Sequence, residues 1–383
     1  MSEVIAKNKQ WIDETFTKID KKLQKVSVRS RNKLPYTAID GVHNDEHTER
    51  PWWWTNGFWG GMMWLMYQET KNDTYKETAI KSGEMVNEIF GEYNRLDHDV
   101  GFLWHLTEGA NYRITGDRKA RSANLLAAAS LFSRYNIDGK FIRAWNGVDA
   151  DFLTIIDCMM NLSILYWASE EVGDSRFARV ARAHADTTLR DHVRPDGSVN
   201  HMVIHDGETG EFKESWAGQG YAPDSCWSRG LAWAIYGFYI SYAHTGDGKY
   251  LDAAKKTANY FIVNTMRTGY LPAADFRAPK DVFCVDTTAS ACTACALLEI
   301  AKHVSEPEGE MYREEAIKLL KAIDEKCANY DENVDYLVGF GTERCPRKEF
   351  PREKCGVEKP IIYGDFFYVE AFLKLRENDF FIW

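Results

Sequence analysis

The chain is predicted to be all-α: six helical hairpins, inner and outer helices alternating, closed into an (α/α)6 barrel with short β-hairpin insertions. Three observations predict it. A helix–turn–helix unit recurs along the chain, although its period is irregular. Helices that are apolar on every side alternate with helices that keep one polar face. No βαβ alternation, Gly-rich phosphate loop or Pro-rich linker competes with this reading, so one domain over residues 1–383 is expected.

The recurring unit is an amphipathic run that ends in an Asn/Gly-Asp turn before the next helix begins. It appears in MMWLMYQETKNDTYKETAIKSGEMV, NYRITGDRKARSANLLAAA, LYWASEEVGDSRFARVARAHA and YISYAHTGDGKYLDAAKKTANYF, with a degenerate fifth case in LLEIAKHVSEPEGEMYREEAIKLLKAI. Glycine closes one helix at C′, and the turn aspartates Asp73, Asp117, Asp174 and Asp247 are expected to cap the next. Runs starting near Gly57, Asp99, Asp151 and Ser225 are Trp-, Met- or Leu-rich all round and are expected inside. Segments 75–90, 175–190 and 248–265 have one polar face and are expected outside. GSVNHMVIHDGETGEFKES alternates in period two about a Gly-Glu-Thr-Gly turn and reads as a β-hairpin. Inner helices of such a barrel all start at one end, so the loops before them share a mouth. Those loops are PWWWTNGFWG, LDHDVGFLW, RAWNGVDADF, SVNHMVIH, WAGQGYAPDSCW and AADFRAPKDVFCVD.

Composition narrows the function. Net charge of −10 argues against nucleic acid, which needs a basic stripe. No stretch approaches the ~20 apolar residues of a membrane span, and MSEVIAKNKQWIDETF lacks the apolar region of a secretory signal. Several of the eight cysteines lie in apolar helical runs, as reduced core cysteines do, so a cytoplasmic protein is expected. Cys292 and Cys295 form a CxxC, but without a second pair, and no metal site is expected from them. With 13 Trp, 19 Tyr and 20 Phe, the chain has aromatic surface for a ligand cleft as well as a core.

Residues 216–238, WAGQGYAPDSCWSRGLAWAIYGF, run from a polar loop into a helix. Gln219, Tyr221 and Asp224 precede it, with Asp224 or Ser225 as the expected N-cap. Arg229 and Trp233, four apart, share one helix face. Indole, guanidinium, amide and carboxylate together suit a sugar; an aromatic core helix is the alternative. Asp157, within DFLTIIDCMMNLSILYW, reads as a lone carboxylate inside an apolar helix: either a structural hydrogen-bonder or a general acid kept protonated by burial. Asp99, beside Asp97 and His98 in LDHDVGF, is either a helix cap or a second carboxylate of the pair that glycoside cleavage uses. His201 and His205 have i,i+4 spacing, but on a strand and without an obvious third ligand. His201 is therefore read as a substrate contact or a packing residue, and no metal is expected. At least one of Trp52, Trp53 and Trp54 should line the cleft.

Together, WTNGFWGGMMWLMYQ, DHDVGFLW, AWNG, IIDCMMNLSILYWA, HADTTLRDHVRPDGSVNH, AGQGY, WSRGLAWAIYGF and DTTASACTACALLEI resemble the unsaturated glucuronyl hydrolases, glycoside hydrolase family 88, from Trp54 to the Tyr363-Gly364-Asp365-Phe366-Phe367 segment. The resemblance implies an (α/α)6 barrel without metal or organic cofactor. Its activity would be removal of 4,5-unsaturated glucuronic acid from the non-reducing end of lyase-generated glycosaminoglycan oligosaccharides, by hydration of the C4–C5 double bond. It implies Asp157 as general acid/base and Asp99, preceded by His98, as the second essential carboxylate. Trp54 and Trp145 would flank the sugar, and His201, Gln219, Arg229 and Trp233 would bind the uronate and its hydroxyls. The chain departs from the family at Gly218, where a histidine is often found. An unsaturated rhamnogalacturonyl hydrolase acting on pectin fragments is the nearest alternative, and a non-catalytic sugar-binding barrel the one from another class. The expected partner is an unsaturated uronic-acid oligosaccharide, not nucleic acid or membrane, with the protein a monomer or homodimer.

Overall fold

A computed structural model describes residues 2–147 and 152–383. In chain order the helices are α1 (Glu3–Arg29), α2 (Asn56–Thr70), α3 (Asp73–Asn87), α4 (Ala110–Thr115), α5 (Arg118–Ser133), α6 (Cys158–Asn161), α7 (Ser163–Val172), α8 (Ser175–Asp191), α9 (Ser228–Thr245), α10 (Gly248–Met266), α11 (Thr287–Ile300), α12 (Glu308–Lys326) and α13 (Ile362–Leu375). A π-helical stretch, Gly101–Gly109, runs directly into α4. The inner ring passes from α2 to the π-helical stretch, then to α6 and α7, α9, α11 and α13, and closes back onto α2. Outside it, α3, α5, α8, α10 and α12 each pack on the inner helix before them, and α1 lies against α3, α12 and α13. The predicted (α/α)6 barrel is the observed fold.

Inside and outside follow hydropathy. Every residue of α11 and of α13 is buried. By contrast α8 buries one stripe, including Val180, Ala181, His184, Ala185 and Thr188, and leaves its arginines outward. Neighbouring inner elements approach backbone to backbone: a Cβ on Gly57 would fall on the Phe102 carbonyl, and one on Gly101 would meet Asn161. The hairpin punctuation is as read for three turns. Gly116, Gly173 and Gly246 close helices at φ 77°, 68° and 67°. Asp117 then accepts from the Lys119 and Ala120 amides, Asp174 from Arg176 and Asp247 from Lys249. The first turn differs. There Lys71 takes the left-handed conformation and Asn72, not Asp73, is the cap, accepting from the Thr74 amide.

The strands are β1 (Ala38–Ile39), β2 (Val42–His43), β3 (Tyr135–Asn136), β4 (Phe141–Ile142), β5 (Leu153–Ile155), β6 (Met202–His205) and β7 (Phe212–Trp216). The first four form two small hairpins. β5, β6 and β7 form an antiparallel sheet in that order, with β6 and β7 joined at the predicted Gly-Glu-Thr-Gly turn. β5 corrects one expectation. The helix read as starting near Asp151 starts at Cys158, because residues 153–155 pair with 202–204 instead. Asp157 therefore sits at the mouth of α6 rather than within a helix. Residues 148–151, Asp151 included, lie outside the described residues. The other corrected start is α9. Its N-cap is Trp227, while Ser225 turns back to donate to Asp275.

Candidate active site

The sheet register brings two catalytic candidates together. Ile155 pairs with Met202, so Asp157 and His201 follow and precede that pair, and the Ile156 amide donates to the His201 carbonyl at 3.1 Å. His201 Nε2 then lies 3.6 Å from Asp157 Oδ1. Loop 97–99 is held beside them, because the His98 amide donates to the Ala144 carbonyl and the Ala144 amide to that of Leu153. One turn into α6, Asn161 Nδ2 donates to Asp99 Oδ1 at 3.0 Å while its Oδ1 accepts from the Phe102 amide at 2.7 Å. Asn161 thus fixes Asp99 from the helix that Asp157 introduces.

These groups share a cavity of about 700 Å³, within the range of sites for small ligands. Trp52, Trp53 and Trp54 all line it, with Trp145, Trp216 and Tyr363. Trp54 packs on Tyr363 with ring centroids 4.9 Å apart. Trp145 is 43% exposed, so its ring face is open to the cavity. Arg229 also lines the cavity, but its guanidinium is largely committed. Nη1 donates to Asp286 at 3.0 Å and to the Thr342 carbonyl at 2.6 Å, and Nη2 to the Glu343 carbonyl at 2.7 Å. The Gln219 side chain donates to the same Glu343 carbonyl at 2.5 Å. Trp233 lies behind the wall, its ring 6.5 Å from Trp54 and 5.5 Å from Phe102. One turn along α9 from Arg229, the barrel interior is already packed.

Electrostatics separates the acids. Burial, then the Asp97 and Asp157 charges, hold the Asp99 carboxyl well above the usual carboxylate range, against the Asn161 hydrogen bond that lowers it. The shift favours the protonated form of Asp99, which can donate a hydrogen bond. Burial likewise raises Asp97 to about 6 and pushes His98 down to about 3, so the ring is neutral.

Sequence reasoning missed part of this wall. Residues 343–350 reach the mouth, with Arg344 and Arg347 set 4.3 and 5.0 Å from the Phe350 ring, and Tyr36 and Tyr363 complete it. The missed signal was the Arg/Lys density of TERCPRKEFPREK, in a chain that is acidic overall. The loop AADFRAPKDVFCVD was expected at the mouth. Its residues, Cys284 among them, line a separate groove with Asn264, Arg267, Thr268 and Cys345 instead. All eight cysteines are free and buried. Among the described residues no His/Cys/Asp/Glu cluster has metal-holding geometry, and no helix is long and apolar enough to cross a membrane.

The Glycosyl Hydrolase Family 88 model matches residues 26–268. The chain belongs to this family. It is 34% identical over 334 residues to an unsaturated glucuronyl hydrolase of Bacillus sp. (strain GL1), covering 85% of this chain and 86% of that one. An unsaturated chondroitin disaccharide hydrolase of Streptococcus pneumoniae is 33% identical over 85% of this chain and 82% of its own. The solved Bacillus sp. GL1 unsaturated glucuronyl hydrolase superposes with TM-score 0.85 at 30% identity, covering 94% of this chain and 96% of that one. That of Streptococcus agalactiae also gives 0.85, at 29% identity over 97% and 94%. The family membership makes this protein a glycoside hydrolase.

In this family 88 enzyme, Asp97 gives a direct check on the electrostatics. Its raised carboxyl costs nothing below pH 4, where folded and unfolded chains both hold the proton. The cost builds as pH rises from about 4 to about 6, where the unfolded chain has ionised while the folded chain still holds the proton, and it is fully present above that. Asp97→Asn keeps an oxygen to accept the Asp99 amide. It is expected to raise Tm by about 2–4 °C at pH 8 and to leave it unchanged at pH 4, in paired thermal melts.

Proposed function

We propose that the enzyme removes 4,5-unsaturated glucuronic acid from the non-reducing end of glycosaminoglycan fragments produced by lyases. The observation that carries this reading is the pair Asp99 and Asp157, tied through Asn161 at the floor of a Trp-lined cavity that also holds Arg229. In support, structures similar to this chain include an unsaturated glucuronyl hydrolase bound to dGlcA-GalNAc6S and another specific for heparin.

The chemistry follows from the substrate's vinyl ether. Asp157 gives a proton to C4 and then takes one from the water that adds at C5, so the carboxyl ends as it began. The C5 hemiketal opens the ring, which leaves a hemiacetal at C1 that releases the saccharide. Asp99, with His98 beside it, holds the sugar hydroxyls. Trp54 and Trp145 flank the ring, Gln219 and Arg229 meet the uronate and its hydroxyls, and His201 stands beside Asp157. Trp233 acts from behind Trp54. Arg344 and Arg347 add positive charge at the rim of an otherwise acidic protein, which suits an anionic substrate. The free, buried cysteines suit a reducing compartment, and we place the enzyme in the cytoplasm.

The test follows the absorbance of the conjugated double bond in unsaturated disaccharides derived from chondroitin, heparin and pectin. Loss on the glycosaminoglycan members is expected. Loss on the pectin member alone would move the enzyme to rhamnogalacturonide fragments, and binding without loss on any member would overturn the hydrolase reading.

A further inference from the structure

His201 carries an unusual constraint. The Gln219 backbone N–H donates to its Nδ1 at 2.9 Å. A backbone amide has no lone pair to offer in return, so Nδ1 must be the acceptor and cannot carry a proton without setting two N–H groups against each other. The one competing contact of Nδ1, to the Ala217 carbonyl, is 3.4 Å long, at the limit of a hydrogen bond. The ring packs against Trp227, with centroids 4.4 Å apart and planes tilted by 42°. Its other nitrogen, Nε2, is buried without a hydrogen-bond partner, and so is Asp157 Oδ1, 3.6 Å away. An unmet donor thus faces an unmet acceptor across a gap that a bound substrate can close.

Gly218 makes the arrangement possible. It sits at φ 55°, and any Cβ there would fall on the His201 ring. A side chain at 218 would therefore expel the ring from the position in which the next residue's amide reaches Nδ1.

We propose that Gly218 and the Gln219 amide are a positioning device for the acid/base: they hold His201 neutral, with its proton on Nε2 aimed at Asp157. His201 anchors Oδ1 of Asp157 and leaves Oδ2 to exchange the proton with substrate and water. After the proton has gone to C4, the same N–H stabilises the carboxylate. His201 keeps its own proton throughout. The Asp157 half of this statement rests on the proposed function; the tautomer does not.

The experiment is 15N–1H correlation of the full-length enzyme labelled at histidine imidazole nitrogens, with His201 assigned by its absence in His201→Gln. A protonated Nε2 and a bare Nδ1 are expected at pH 7. A proton on Nδ1, or an imidazolium, would overturn the proposal. Gly218→Ala is expected to mix the tautomers; should that variant not fold, the wild-type spectrum still decides. The kinetic arm compares two amides. His201→Gln brings an N–H to the place of Nε2, whereas the shorter His201→Asn reaches only that of Nδ1. We expect kcat at least about tenfold higher in the Gln variant, with KM similar in both. Equal rates, or a faster Asn variant, would show that the Nε2 proton does not serve Asp157. An Nε2 proton in an enzyme inert on every unsaturated uronide would sink the proposed function and leave the tautomer standing.

Discussion

Asp157→Asn is expected to abolish turnover while leaving binding nearly intact. An amide can neither deliver a proton to C4 nor take one from water, and the proposed mechanism puts both steps on this one side chain. Loss of a general acid/base costs roughly 10²–10⁴ in rate, and serving two consecutive steps puts the drop at the upper end, about 10⁴. Asparagine matches aspartate in shape, and its Oδ1 can still face His201 Nε2, now 3.6 Å away. The cavity walls built from Trp54, Trp145 and Arg229 do not depend on it. Kd for an unsaturated disaccharide should therefore change less than about fivefold while the absorbance of the double bond stays constant. Tryptophan fluorescence titration and the absorbance assay measure the two quantities on one sample. A variant that kept a tenth of the wild-type rate would remove Asp157 from the chemistry.

Much of this site is legible in the sequence because the barrel sorts it. Asp99, Trp54, Gln219 and Arg229 lie in or just after loops that precede inner helices, and inner helices are recognisable by being apolar all round. Asp157 lines the cavity through a local structure other than the helix that its apolar surroundings predict. Four apolar residues in FLTIID can be strand or buried helix, and periodicity does not separate the two over so short a run. Pairing with β6, a tertiary fact, decides it. Trp233 shows the opposite failure. Helical spacing correctly puts it one turn from Arg229, but spacing does not reveal where the cavity floor lies, and that turn is below it. Arg344, Arg347 and Phe350 were unreadable for a third reason. They reach the mouth through irregular chain, tied by the Cys345 amide to the Gln219 carbonyl and by Arg347 to that of Gly220, and such long-range bonds leave no local pattern.

The same reasoning gives opposite expectations for the two members of a buried ion pair. Arg229 and Asp286 are 1% and 0% exposed at the side chain and 3.0 Å apart. Removing one member of such a pair costs about 3–5 kcal/mol, because the other is left charged in low dielectric. The two are not equally supported, however. Asp286 Oδ1 also accepts from the Thr288 amide at 3.2 Å, the Thr288 hydroxyl at 2.5 Å and the Thr342 amide at 3.2 Å, and it caps α11. Arg229→Met leaves the carboxylate with these three donors, so the loss should be about 2 kcal/mol. Asp286→Ala strands the guanidinium on neutral acceptors, two carbonyls and the Thr288 hydroxyl, and also removes the cap, worth about 1 kcal/mol more, for a total of about 4–5 kcal/mol. Urea unfolding should therefore rank Asp286→Ala well below Arg229→Met in stability. Equal midpoints would mean that the carboxylate's other donors contribute nothing. Activity should separate the pair further. The methionine variant stays folded but loses the cation proposed to meet the uronate, so its KM should rise at least about tenfold, the usual scale for losing a charged hydrogen bond to a ligand. A structural arginine would leave KM untouched, so this one substitution tells whether Arg229 serves the barrel alone or the substrate as well.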